Sequence, residues 1–259
     1  MASRMNATDL PGTAASEARK QLWYELLSGA SGLVLALFMW GHMILVGSIL
    51  TGEQGFDRLA GWLEDYYIAQ PTVAAILALF VIHAALASRK IPAQLRERRR
   101  MIALGKSLAL SGRDNPATAS DMSAFRPHIE SRLWIWQVRT GMIVLVLGSF
   151  HIILLGLDVL TPLFGDRVGI EAVTSMERVQ SGLWLPYVIL LLCVEFHASV
   201  GLYRLAVKWG AGRLLSRNLL HGIERVLLWF FLGLGIVVLF VLTGLLEPPL
   251  AFLLTGSPT

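Results

Sequence analysis

The sequence predicts an all-α membrane protein with five transmembrane helices. Three observations carry that reading. Five stretches are apolar and almost free of charge, the basic residues gather in alternate connections, and four of the five stretches hold one histidine each. Composition agrees with all three. Of 259 residues, 55% are hydrophobic and 15% charged, where soluble domains carry about 25% charged residues. Mean hydropathy is +0.61. A soluble globular domain, a disordered chain and a disulfide-rich scaffold are excluded on these grounds.

A helix needs about 20 predominantly apolar residues to cross a hydrocarbon core roughly 30 Å thick. Residues 26–52 carry no charge and form the first span. Residues 66–88 carry none either, and Pro71 sits near a plausible first turn, where proline is tolerated. Residues 140–157 are uncharged, with the helix starting earlier, so the third span is placed at 133–157. The fourth, 179–207, has one acid, Glu195, in its apolar part. The fifth, 224–246, is uncharged from residue 226 onward. The polar first 25 residues do not resemble a cleavable signal peptide. The whole chain reads as a single membrane domain.

Orientation follows from lysine and arginine in the connections. Residues 88–132 contain ten of them, including Arg98, Arg99 and Arg100, and residues 204–225 contain five. Residues 51–70 contain one and residues 158–182 two. The N-terminus is therefore expected in the cytoplasm and the C-terminus in the periplasm. The basic connections read first as topogenic charge and second as a docking surface for a cytoplasmic partner. Nucleic-acid binding is not expected. The polar segment 107–125 reads as an extended cytoplasmic loop, and no phosphate-binding glycine motif is present,.

Cys193 is the only cysteine, so neither a cysteine-ligated iron–sulfur site nor a CxxCH haem attachment can form. Any redox centre must be held by histidine. His128 and His221 lie in the basic connections and read as surface residues. His42, His83, His151 and His197 lie inside the spans, where ionisable residues are rare and usually functional,. At 1.5 Å per residue, His42 and His151 share a level roughly 24–27 Å from the cytoplasmic ends of their helices. His83 and His197 share another, roughly 9–10 Å from the cytoplasmic boundary. Two pairs at two depths suit two bis-imidazole b-type haems, one imidazole on each face of each iron. One tetrahedral zinc site cannot be assembled from two separated pairs. Small residues near the ligands would admit the macrocycle: Gly29, Gly32, Gly141, Gly148, Ser199 and Gly201.

The stretches FMWGHMILVGSILTGE around His42, VIHAALASRKIP around His83, GSFHIILLGLD around His151 and VEFHASVGLYRLAVKWG around His197 resemble the dihaem cytochrome b subunit of quinol:fumarate reductases and succinate:menaquinone reductases. The resemblance runs from about residue 25 to residue 210. It implies a bacterial inner-membrane anchor for a flavoprotein subunit and an iron–sulfur subunit, with dimerisation of that heterotrimer left open. It implies oxidation of menaquinol in anaerobic respiration, with no dicarboxylate site in this chain. His83 and His197 would hold the proximal haem, and His42 and His151 the distal one. Glu64 matches an acid beside the quinol site that accepts a quinol proton, with Asp65 adjacent. Glu195 matches a glutamate linked to proton transfer. A carboxylate at that depth is expected to be protonated or tightly paired. Lys208 and Trp134 match positions that contact haem propionates. The alternatives are succinate oxidation through the same subunit, a dihaem anchor for another dehydrogenase, and a haem-free transporter with histidine relays.

Overall fold

This computed structural model describes residues 11–111, 129–161, 163 and 170–255. In chain order the helices are α1 (Pro11–Gly47), α2 (Glu53–Asp65), α3 (Ala69–Ser88), α4 (Ile91–Ser111), α5 (Ile129–Leu160), α6 (Ala172–Arg178), α7 (Trp184–Lys208), α8 (Arg217–Leu242) and the short α9 (Phe252–Thr255). Five helical stretches are long and apolar enough to span a bilayer: α1, α3 running into α4, α5, α6 running into α7, and α8. Their outward faces show large apolar side chains, among them Val146, Val226 and Trp229, each about two-thirds exposed. In water such a surface would drive association. Lipid covers it, and the helices satisfy their backbone groups internally, as a membrane requires.

The connections hold more structure than their polarity suggests. The expected loop after the second span is helical over Ile91–Ser111, built mainly of Ala, Leu, Arg, Gln and Glu with Pro92 in the first turn,. The remainder of the 107–125 segment, and His128, lie outside the described residues. The first external connection contains α2, an amphipathic helix that buries Phe56 and Ala60 one turn apart,. They pack with Ile49, Leu50, Val238, Val241 and Leu242, capping the end of the bundle opposite the basic connections. Across this cap, Asp57 Oδ1 accepts the Ala172 amide at 2.7 Å, satisfying one open donor at the start of α6. Gly182, with φ 103° inside the π-helical turn Val179–Leu183, bends α6 into α7, a conformation that favours glycine. At the basic end, Ser216 Oγ accepts the Leu219 amide and starts α8,.

The principal helix contacts are α1 with α3, α5 with α7, and α1 with α7, while α8 packs on α7 and α1. Four helices thus surround an interior, and the fifth lies outside it against one edge. Arg178, at the end of α6, is ion-paired with Asp158 near the end of α5, and both are buried. Removing one partner leaves the other charge buried, at a cost of about 3–5 kcal/mol. Arg178→Ala should therefore lower the thermal unfolding temperature in detergent markedly. The double variant Arg178→Met with Asp158→Leu should recover most of it.

Candidate functional site: two histidine pairs inside the bundle

The four membrane histidines meet in twos. The ring centroids of His42 (α1) and His151 (α5) are 6.4 Å apart, and those of His83 (α3) and His197 (α7) are also 6.4 Å apart. A metal–imidazole bond is about 2.0 Å long, and the ligating nitrogen lies a little over an ångström from its ring centroid. Two imidazoles on opposite faces of one iron therefore need centroids about 6 Å apart. Both pairs meet that spacing. Each pair links α1 with α5 or α3 with α7, helices that are not the strongly packed neighbours, so each gap lies in the middle of the four-helix bundle. Among the described residues, no three or more His, Cys, Asp and Glu side chains converge.

Three of the four rings are held at Nδ1. His83 Nδ1 lies 3.2 Å from the Ser28 carbonyl and 3.1 Å from Ser31 Oγ, both on α1. His197 Nδ1 lies 2.9 Å from the Gln137 carbonyl on α5. His151 Nδ1 lies 3.2 Å from the Tyr187 hydroxyl on α7. An Nδ1–H donated to a carbonyl fixes the tautomer and leaves Nε2 as the ligating atom, the usual outer-shell arrangement for metal-bound histidine. His42 stacks on Phe38 one turn earlier, with centroids 5.8 Å apart.

Two of the six small residues approach a ligand directly. A Cβ on Gly32 would lie 2.9 Å from His83 Cε1, and one on Gly141 would lie 2.7 Å from His197 Cε1. Only a bare backbone leaves room for those rings. Gly29 faces Leu205 and Trp209, Gly148 faces Phe80, and Gly201 faces Gln137. Ser199 lies on the other side of α7 from His197, two residues on and so rotated by about 200°.

The acids fall differently. Glu195 is 1% exposed on α7, with the indole N–H of Trp40 directed at its carboxyl group. Among the described residues, Ser199 Oγ is buried without a hydrogen-bond partner. Glu64 stands exposed in the last turn of α2 with Asp65, also exposed, beside it. Neither forms a hydrogen bond to His42 or His151. The exposed aromatic residues Trp62, Tyr66 and Tyr67 cluster around them. At the basic end, Lys208 and Lys90 both pair with Glu25 of α1. Arg89 sits over the Tyr24 ring at 3.8 Å. Trp134 is half-buried in the early part of α5.

A multi-pass helical bundle whose interior opposes imidazoles in pairs defines a class, the membrane cytochromes of b type. The chain belongs to the succinate dehydrogenase/fumarate reductase transmembrane subunit family, whose model matches residues 112–243. It is similar to the fumarate reductase cytochrome b subunit of Helicobacter pylori, 31% identical over 220 residues that cover 82% of this chain and 76% of the relative. It is also similar to the fumarate reductase cytochrome b subunit of Wolinella succinogenes, 34% identical over 196 residues, 73% of this chain and 66% of the relative. Cytochrome b in these names implies haem. The opposed ring spacing, the anchored Nδ1 atoms and the glycine faces of this chain fit that group.

Proposed function

We propose that this chain is the dihaem, quinol-oxidising membrane subunit of a fumarate reductase complex in a bacterial inner membrane. The observation that carries the reading is the presence of two separate histidine pairs at iron-bridging distance. His83 and His197 would hold the proximal haem, near the basic and cytoplasmic end, and His42 and His151 the distal haem. Bound there, haem supplies one-electron carriers between a two-electron quinol donor and the catalytic subunits. Trp134 and Lys208 are suited to the proximal propionates, Lys208 by leaving Glu25, which Lys90 also neutralises. The basic connections, α4 included, offer the docking surface for the iron–sulfur subunit, beyond which lies the flavoprotein subunit. The named relatives favour fumarate reduction over succinate oxidation as the working direction.

Menaquinol would bind at the periplasmic end beside the distal pair. Oxidising it releases two protons for two electrons, and Glu64, exposed at the end of α2, would accept one at the membrane surface. The aromatic side chains around Glu64 suit the bilayer interface. Glu195, a buried carboxyl group inside the span beside the Trp40 indole, then provides a site for proton transfer within the membrane.

The founding test is a reduced-minus-oxidised spectrum of the purified complex with haem counted per chain. Two b-type haems are expected, and a single haem would overturn the assignment. Glu64→Gln should abolish menaquinol oxidation while fumarate reduction by an artificial donor at the flavoprotein continues. Retained menaquinol activity would move the proton acceptor to Asp65 or elsewhere. Glu195→Gln should keep both haems and slow quinol-linked turnover, and unchanged turnover would reduce Glu195 to a structural acid.

A further inference from the structure

The partners that hold the membrane histidines differ in kind. His83 and His197 face main-chain carbonyls of α1 and α5. His151 faces a side chain, the Tyr187 hydroxyl, at 3.2 Å. Their two rings meet edge to face with centroids 5.5 Å apart. Tyr187 stands in the first turn of α7, and its ring packs against the apolar cap that contains Val179, Val238 and Val241. Its hydroxyl also accepts a hydrogen bond from Arg178. Arg178 is ion-paired with Asp158, and both are buried. Asp158 follows His151 on α5 by about two helical turns, so the carboxylate and the imidazole share one face of that helix, about 10 Å apart along it. The contacts close a loop. It leaves α5 at His151, crosses to α7 through Tyr187, passes to α6 through Arg178 and returns to α5 at Asp158.

We propose that Tyr187 is a positioning residue of the distal site, fixing the His151 imidazole and linking the electron affinity of its haem to the buried Arg178–Asp158 pair. The proposal rests on the assignment of His42 and His151 to a haem. An imidazole that ligates through Nε2 carries its proton on Nδ1. Sharing that proton with an acceptor raises the electron density at Nε2, which favours ferric over ferrous iron. The strength of the effect depends on the acceptor. A phenol oxygen that already accepts from a guanidinium is electron-poor and draws the proton less than a carbonyl oxygen does. Asp158 keeps the guanidinium in place and offsets its charge. The cap holds the Tyr187 ring and Arg178 holds its hydroxyl, so the His151 ring cannot turn without losing the contact. His83 and His197 are tuned by backbone that a change of side chain at the partner residue does not remove. The contact to His151 can be edited by one substitution. The effect is local, because His197 lies about 15 Å further along α7. Tyr187 acts through His151 and not on quinol.

The test uses the intact complex, with potentiometric titration of the haem absorbance and electron paramagnetic resonance of the two ferric haems. Signals that vanish in His151→Ala are assigned to the distal haem. Tyr187→Phe keeps the ring and its packing and removes only the hydroxyl. Both haems should remain bound. At a fixed potential, the ratio of ferrous to ferric distal haem should rise about two- to tenfold, within the worth of one neutral hydrogen bond. The low-field resonance of the distal haem should move with it, and the proximal titration and resonance should stay as in the wild type. Selective loss of the distal haem from Tyr187→Phe would support the holding role as well. A role in packing alone gives a different split: Tyr187→Phe behaves as the wild type and only Tyr187→Leu, which removes the ring, has an effect. That result would overturn the proposal, and so would equal shifts of both haems. An unmoved distal titration with two haems present overturns the tuning role alone, whereas one haem in the wild type overturns the dihaem reading beneath it.

Discussion

Replacing His197 with alanine is expected to remove one of two haems, and replacing His83 as well is expected to remove nothing further. The two imidazoles share one iron in this reading, and a low-spin bis-histidine site is lost when either axial ligand goes. The same holds for His42 and His151. Combining one substitution from each pair should remove both haems. This pattern, redundant within a pair and additive across pairs, is what a shared ligand requires and what four independent structural histidines would not give. Haem counts per chain and the reduced-minus-oxidised spectra of the four single variants and three doubles measure it. Loss of both haems from every single variant would point to global unfolding. Circular dichroism separates that outcome, because the helices keep their backbone bonds with or without the ligand. A pairing of His42 with His83 would contradict the geometry, since the 6.4 Å partners are His151 and His197.

The spans and the level of each histidine were legible because both follow from counting along one helix. The apolar runs fix where the chain crosses, and 1.5 Å per residue converts sequence position into depth. Span limits were less so. The helix of the first span is already formed at Pro11, the first described residue, and the fifth begins at Arg217, because polar residues outside the bilayer continue a helix readily. The amphipathic α2 was hidden by its mixed composition, although Phe56 and Ala60 stand one turn apart. The partners of the ring nitrogens were not legible at all. Ser28, Gln137 and Tyr187 lie 55, 60 and 36 residues from the histidines they hold, and two of the three contacts use backbone carbonyls that every residue possesses. Among the small residues, sequence pointed to six and could not tell which two face a ligand. That depends on the rotation of each helix about its axis, which packing sets. Ser199, counted among the small residues near the ligands, lies about 200° around α7 from His197.

Gly141→Val should cost the His197 haem most of its affinity while leaving the other haem in place. A Cβ at this position falls 2.7 Å from His197 Cε1, well inside van der Waals contact. The ring cannot swing aside cheaply. Its Nδ1 is held at 2.9 Å by the Gln137 carbonyl, on the same helix as the intruding side chain. Either the hydrogen bond stretches or α5 moves away from α7, and both displace the ligating nitrogen from its line toward His83. Overpacking of this kind costs typically about 1–3 kcal/mol, which is about five- to a hundredfold in haem affinity. Gly32→Val should act alike on His83, where the corresponding approach is 2.9 Å, so the two substitutions should weaken the same haem. Controls are available away from the ligands. Gly156 on α5 and Gly233 on α8 have nothing within 4 Å of a built Cβ, and alanine there should raise helix propensity without touching either haem. Haem retention during a detergent wash, followed by the Soret band, reads all four variants. If Gly156→Ala strips haem as effectively as Gly141→Val, the effect belongs to the helix as a whole and the specific approach of α5 to His197 is not its cause.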